Sequence, residues 1–291
     1  MARSDKYKVE EEKQKEEKKK RFKKNIIKSI IIIFLLIFAT IYYMRFYEIK
    51  RLEVNEIKIE DNLIPENFNG FKIVHISDIH YKMTTDKKDL EKIVNKINKL
   101  KPDVLVFTGD LLDETIDYED KDYQELKEIL SKIDVTMTKY YIKGNHDYNF
   151  DNIEDIFYNS GFVNLNNSED TIYINDKEFI KLKGYGSSIN DDFNYQETPN
   201  NTYTISLIHE PDNASLIKDS NLILAGHSHN LQINIPYIKT LFKVNGCMKY
   251  YDNYYDLGNT KLYINNGIGT SIYKLRLFNP PTINFYRLTN N

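Results

Sequence analysis

Residues 140–147 read Tyr140-Tyr141-Ile142-Lys143-Gly144-Asn145-His146-Asp147. A short apolar run, which predicts a strand, stops at a glycine followed by an amide, an imidazole and a carboxylate. Four other apolar runs stop in the same manner: Ile73–Ser77 before Asp78-Ile79-His80, Val104–Thr108 before Gly109-Asp110, Ile205–Ile208 before His209, and Leu222–Ala225 before Gly226-His227-Ser228-His229. Five of the six histidines fall in these five endings. The sixth, His75, lies inside a run and is expected to pack in the core.

Between the runs, Leu90, Ile93, Val94, Ile97 and Leu100 make a helical stripe stopped by Pro102. Leu126, Ile129, Leu130 and Ile133 make a second stripe, and Ile153, Ile156 and Phe157 suggest a short third. Strand-helix alternation predicts an α/β sheet, in which ligands gather beyond the carboxyl ends of the strands. All five polar endings occupy such ends. Upstream, Leu52, Val54, Ile57 and Ile59 alternate as a strand. Downstream, 262–264, 272–278 and 283–288 are expected as further strands.

Asp78, His80, Asp110, Asn145, His209, His227 and His229 supply seven nitrogen or oxygen donors and no thiolate. That set exceeds the needs of one tetrahedral zinc and suits a pair of borderline cations sharing a carboxylate. Mixed imidazole and carboxylate donors favour Mn, Fe or Zn. Such a pair activates water and clamps the oxygens of a displacement at phosphorus.

Charge and hydropathy divide the chain. Residues 1–25 are mostly Lys, Glu and Arg and predict a solvated or fraying helical cytoplasmic tail. Residues 26–44 are apolar apart from Lys28, Ser29 and Thr40, and span ~28 Å as a helix, close to a bilayer's hydrocarbon thickness. Seven basic residues lie between Lys18 and Lys28, against three between Arg45 and Arg51. The bias predicts an uncleaved single-pass anchor with its N-terminus in the cytoplasm and the following domain outside. Residues 45–51 are expected as a short linker, and 52–291 as the globular domain. The latter carries 25 basic and 36 acidic residues, which argues against nucleic acid as a partner. The single cysteine, Cys247, excludes an internal disulfide.

As an ordered set, Asp78/His80, Gly109-Asp110, Gly144–Asp147, His209 and Gly226–His229 resemble the calcineurin-like metallophosphoesterase superfamily. His209-Glu210-Pro211-Asp212, Gly267–Ser271 and Phe278-Asn279-Pro280-Pro281 are similar to its membrane-anchored bacterial branch, typified by YkuE and YaeI. The resemblance implies two mixed β-sheets packed as a sandwich flanked by helices. It implies that Asp78, His80 and His229 hold one metal, that Asn145, His209 and His227 hold the other, and that Asp110 bridges. A metal-bridging hydroxide would attack phosphorus in line, His146 would protonate the leaving oxygen, and Asp113 would orient that imidazole.

Two departures from the family stand out. Asn230 and Leu231 replace two glycines of the usual GHTHGGQ, and position 113 is Asp rather than the Tyr of purple acid phosphatases, so no coloured ferric site is expected. Residues 52–291 contain two arginines, Arg276 and Arg287, and neither adjoins a motif in sequence. Without an evident bidentate clamp for a dianion, a phosphodiester or pyrophosphate, lipid or lipid-linked, is the expected substrate class. The alternative, a tethered scaffold that kept the fold and lost turnover, would show gaps in the donor set; none of the seven is missing.

Overall fold

The computed structural model describes residues 3–197, 201–271 and 273–291. The chain divides into two compact units, Met1–Arg45 and Phe46–Asn291.

The first unit is built on one helix, α1 (Arg3–Tyr42). The charged tail is helical from Arg3 onward, with i,i+4 ion pairs Glu11–Lys15 at 2.7 Å and Glu16–Lys20 at 3.2 Å supporting it. The stretch Tyr7–Lys50 is long and apolar enough to cross a membrane. The expected anchor, 26–44, lies within it.

The second unit begins earlier than expected. From Phe46 onward the supposed linker is part of the fold, with Glu48 and Ile49 buried. Two six-stranded mixed sheets follow. The first has the order β1 (Glu53–Glu60), β12 (Thr282–Thr289), β2 (Lys72–Ile76), β3 (Val104–Thr108), β4 (Thr138–Ile142), β5 (Phe162–Asn164). The second runs β10 (Tyr254–Asp256), β11 (Lys261–Ile264), β9 (Leu222–Ala225), β8 (Thr204–Ile208), β7 (Phe179–Gly184), β6 (Ser168–Tyr173).

Strand period explains how the layers meet. In β3, Val104 and Val106 point between the sheets, where they join Ile73, Tyr140, Ile205, Leu207, Leu222 and Leu224 in one apolar cluster. The alternate residues Leu105 and Phe107 point outward, onto α2 (Lys87–Leu100), α3 (Asp120–Ser131) and α4 (Ile153–Asn159). The three expected helical stripes supply that contact through Ile93, Ile97, Leu126, Ile129, Ile156 and Phe157. The outer face of the second sheet packs on the 3₁₀ turn Pro211–Ser215 and on aromatic loops around Tyr195 and Tyr250.

β2, β3 and β4 are mutually parallel, as are β8 and β9, so their carboxyl ends collect the polar endings. The expected strand over 272–278 does not form among the described residues, and Ile272 lies outside them; Leu277 makes only an isolated bridge to Ile233. The backbone there turns to bring Arg276 inward. His75 is a core residue on β2, with Nε2 2.8 Å from Thr108 Oγ1.

Candidate metal centre

Each of the seven donors lies just past the last residue of its strand, and most have left the extended conformation there. Asp78, His80, Asp110, His227 and His229 all have positive φ, between 41° and 66°. Such backbone costs of order 1–3 kcal/mol per non-glycine residue and persists only where the surroundings hold it. Gly109 and Gly144 make the turn possible, because they pack back to back. A Cβ on Gly109 would sit 2.3 Å from Gly144 N, and one on Gly144 would sit 2.2 Å from Asp110 Oδ1.

Two groups of donor atoms result. In the first, His80 Nε2 and His229 Nε2 are 3.2 Å apart, and Asp78 Oδ1 is 3.6 Å from His229 Nε2. In the second, His209 Nε2 lies 3.1 Å from Asn145 Oδ1 and 3.2 Å from His227 Nδ1. Asp110 Oδ2 stands between them, 3.1 Å from His209 Nε2 and 3.7 Å from His80 Nε2. Asp78, His80 and His229 could hold one ion, and Asp110, His209 and His227 another.

The far nitrogens of the rings decide what faces inward. His209 Nδ1 is 2.6 Å from the Thr108 carbonyl, and His227 Nε2 is 2.6 Å from the Asn245 carbonyl. A carbonyl only accepts, so each ring donates outward and turns a lone pair toward the centre. His80 Nδ1 is likewise 3.0 Å from Asp113 Oδ2. The lone pairs of His80, His209 and His227 thus converge with carboxylate oxygens and the Asn145 amide oxygen. That arrangement is repulsive for a neutral site and suits cations, so the residues fit a pair of divalent ions.

Electrostatics follow from this crowding. Burial alone would raise the Asp110 carboxyl, yet His209 and the neighbouring imidazoles hold it well below the usual range. Burial pushes Asp78 up. His229 is pushed well below its ordinary value by burial, with His80 and Arg276 adding to the effect.

Three placements differ from the sequence reading. Asp113 is on His80, not on His146; the carboxylate touching His146 Nδ1 belongs to Glu114, the next residue along. Burial opposes protonation of His146, but Asp110 and Glu114 together raise its pKa above the ordinary value. Arg276, remote from every motif in sequence, is fully buried with Nη2 3.3 Å from His229 Nδ1. Its guanidinium is engaged by the carbonyls of Asn266, Gly267, Gly269 and Asn279, so it braces the loop under His229 and is not a substrate clamp.

Asp147 and Asn279 are two further residues to which the sequence reading assigned no role. The buried Asp147 carboxylate accepts the N–H groups of Asp110, Leu111, Leu112 and Gly144, tying the β3 and β4 endings together. Burial and the nearby Asp110 push it up to about 6 against those donors. Only its place at the end of Gly144–Asp147 could have drawn attention to it. Asn279 donates its side-chain amide to the His229 carbonyl at 2.6 Å.

Beside the centre is a pocket of about 260 Å³. Asp110, Asn145, His146, His227 and His229 line it, and Ile189, Leu231, Phe242, Val244 and Tyr273 give it an apolar wall. Leu231 and Asn230 keep left-handed backbone, φ 60° and 45°, where the family has glycine. The Leu231 side chain joins the pocket lining.

The Calcineurin-like phosphoesterase family matches residues 71–263. The chain is 31% identical over 236 residues to the uncharacterized metallophosphoesterase YkuE of Bacillus subtilis, covering 78% of this chain and 82% of that one. It is 29% identical over 192 residues to a transmembrane protein with metallophosphoesterase domain of Danio rerio, covering 58% of this chain and 43% of the relative. It is 25% identical over 291 residues to the UDP-2,3-diacylglucosamine pyrophosphatase LpxG of Chlamydia muridarum, covering 76% of this chain and 85% of the relative.

Proposed function

The chain belongs to the calcineurin-like phosphoesterase family, and from that premise we propose that it is a membrane-anchored, dinuclear-metal hydrolase of phosphodiester or pyrophosphate bonds. The observation that carries this reading is the position of Asp110 Oδ2, within 3.7 Å of His80 Nε2 and 3.1 Å of His209 Nε2, where one carboxylate can serve both groups.

Asp78, His80 and His229 would hold one ion, and Asn145, His209 and His227 the other, with Asp110 shared. Two bound divalent cations supply an activated water and positive charge opposite the phosphoryl oxygens. The remaining work falls to side chains. His146 lines the pocket with Nε2 4.0 Å from Asp110 Oδ2, a position from which its ring can protonate the leaving oxygen. Glu114 faces its Nδ1 and stabilises the charged ring. The apolar wall accepts a nonpolar substituent on the phosphorus and sheds water from it.

The substrate class follows from three features. No free guanidinium faces the pocket among the described residues to grip a monoester dianion, one wall is apolar, and a relative of similar length is named for a pyrophosphate joined to an acylated sugar. A lipid or lipid-linked diester or pyrophosphate fits all three. The basic flank at the start of the apolar run supports an N-terminus in the cytoplasm and a catalytic unit outside.

The test is metal content and turnover together. Full-length protein in detergent is expected to carry two divalent ions per chain and to hydrolyse bis(p-nitrophenyl) phosphate with added Mn²⁺. Asp110→Asn should abolish both, and protein that binds no stoichiometric metal would refute the reading.

A further inference from the structure

We propose that Tyr237, Ile238, Leu241 and Phe278 form a second bilayer contact that seats the mouth of the metal pocket against lipid. This deepens the anchored phosphoesterase reading and rests on it.

The first observation is exposure. Tyr237 is 95% exposed, Leu241 80%, Phe278 66% and Ile238 46%. Side chains this open to solvent project from the fold. A projecting apolar turn matches a fluid phase better than the flat face of a second protein.

The second is continuity with the pocket. Leu241 lies on the 3₁₀ turn Lys239–Phe242, whose inward residue Phe242 contacts Tyr273 edge to face at 5.9 Å. Both aromatic rings line the pocket. The outward residues of the same turn therefore flank its apolar wall, and an acyl chain leaving the wall would meet them next.

The third is the place where the chain enters the folded unit. Phe46 and Tyr47 are exposed there, while Glu48 is buried with Oε1 accepting the Asn279 N–H at 3.1 Å, one residue from Phe278. Asn234 N donates to the Leu277 carbonyl at 2.9 Å and Asn234 Nδ2 approaches the Phe278 carbonyl at 3.5 Å. The 233–242 segment is thus stitched to the stretch of chain that grips the entry point. The apolar anchor expected over 26–44 ends four residues before Glu48, which keeps the entry point close to the headgroup region. Tyrosine, phenylalanine and aliphatic side chains suit that depth.

The chain contains no tryptophan, which makes a direct test clean. Full-length Leu241→Trp is reconstituted in phosphatidylglycerol/phosphatidylcholine vesicles, with Tyr158→Trp as a control on α4, an exposed position. Brominated acyl chains should quench Trp at 241 and spare Trp at 158, while aqueous iodide does the reverse. Equal quenching at both positions, or a signal at 241 that follows protein concentration and ignores lipid, overturns the proposal. This readout needs no turnover, so it separates failure of the docking surface from failure of the phosphoesterase reading. In addition, the double variant Tyr237→Ser/Leu241→Ser should cleave the soluble aryl diester normally and a vesicle-borne phospholipid about tenfold more slowly. Equal rates on both substrates, or equal losses on both, would also overturn it.

Discussion

The backbone N–H of Asn279 donates to the buried carboxylate of Glu48 across 231 positions of sequence, and the Asn279 side chain in turn holds the carbonyl of His229. The start of the folded unit is therefore one hydrogen-bonded residue away from a candidate metal ligand.

This relationship sets the useful boundary for a soluble fragment. A fragment starting at residue 52 leaves the Asn279 N–H buried without its acceptor, which costs about 1–3 kcal/mol. Urea unfolding should show a lower midpoint for 52–291 than for 46–291, and Glu48→Ala in the longer fragment should reproduce the loss. Equal midpoints would separate the entry segment from the stability of the site.

Asp113 acts through His80. Asp113→Asn is expected to weaken binding of added Mn²⁺ by about 10–100-fold, since the carboxylate fixes the orientation and basicity of that ring. Calorimetric titration measures it. An unchanged affinity, paired with a changed pH dependence of turnover, would return Asp113 to the role of orienting His146.

His146→Ala should retain both metal ions and lose about 10²–10⁴-fold in turnover on an alkyl diester, whose leaving oxygen needs a proton. On an aryl diester with an acidic leaving group the loss should be much smaller. Glu114→Gln should move the alkaline limb of the rate profile to lower pH, because the carboxylate helps raise the His146 pKa. Identical losses on the two leaving groups would remove His146 as the proton donor.

Asp147→Ala strips four backbone N–H groups of one acceptor. The expected loss is at least about 3 kcal/mol of stability, read as a lowered thermal midpoint with metal present and absent alike. A midpoint that falls only in the presence of metal would place Asp147 in the metal centre and not beneath it.

Burial of His75 lowers its pKa to about 3, below the unfolded value of 6.5. Between those values the unfolded chain binds the extra proton, so stability declines as pH falls through 6.5, by up to about 1.4 kcal/mol per pH unit. His75→Gln should flatten that decline between pH 6.5 and 5. Denaturant midpoints at the two pH values check it, and an unchanged slope would assign the acid sensitivity to other groups.

The sequence alone determined the strands that end in the donors, the three helices over the first sheet, the core position of His75 and the place of the seven donors at five strand ends. Those features are written in local periodicity: an apolar run closed by a glycine or a polar donor places the closing residue at a strand's edge whatever the rest of the chain does. Which second residue stands behind each donor was decided only by the tertiary structure. Asp113 against His80, Glu114 against His146, Arg276 under His229 and Glu48 on Asn279 join residues from separate elements, and neighbouring carboxylates such as 113 and 114 are indistinguishable until a turn aims one inward. The loop at Asn230-Leu231 makes the same point for the backbone: neither residue type favours positive φ as glycine does, yet both hold left-handed backbone in the folded chain.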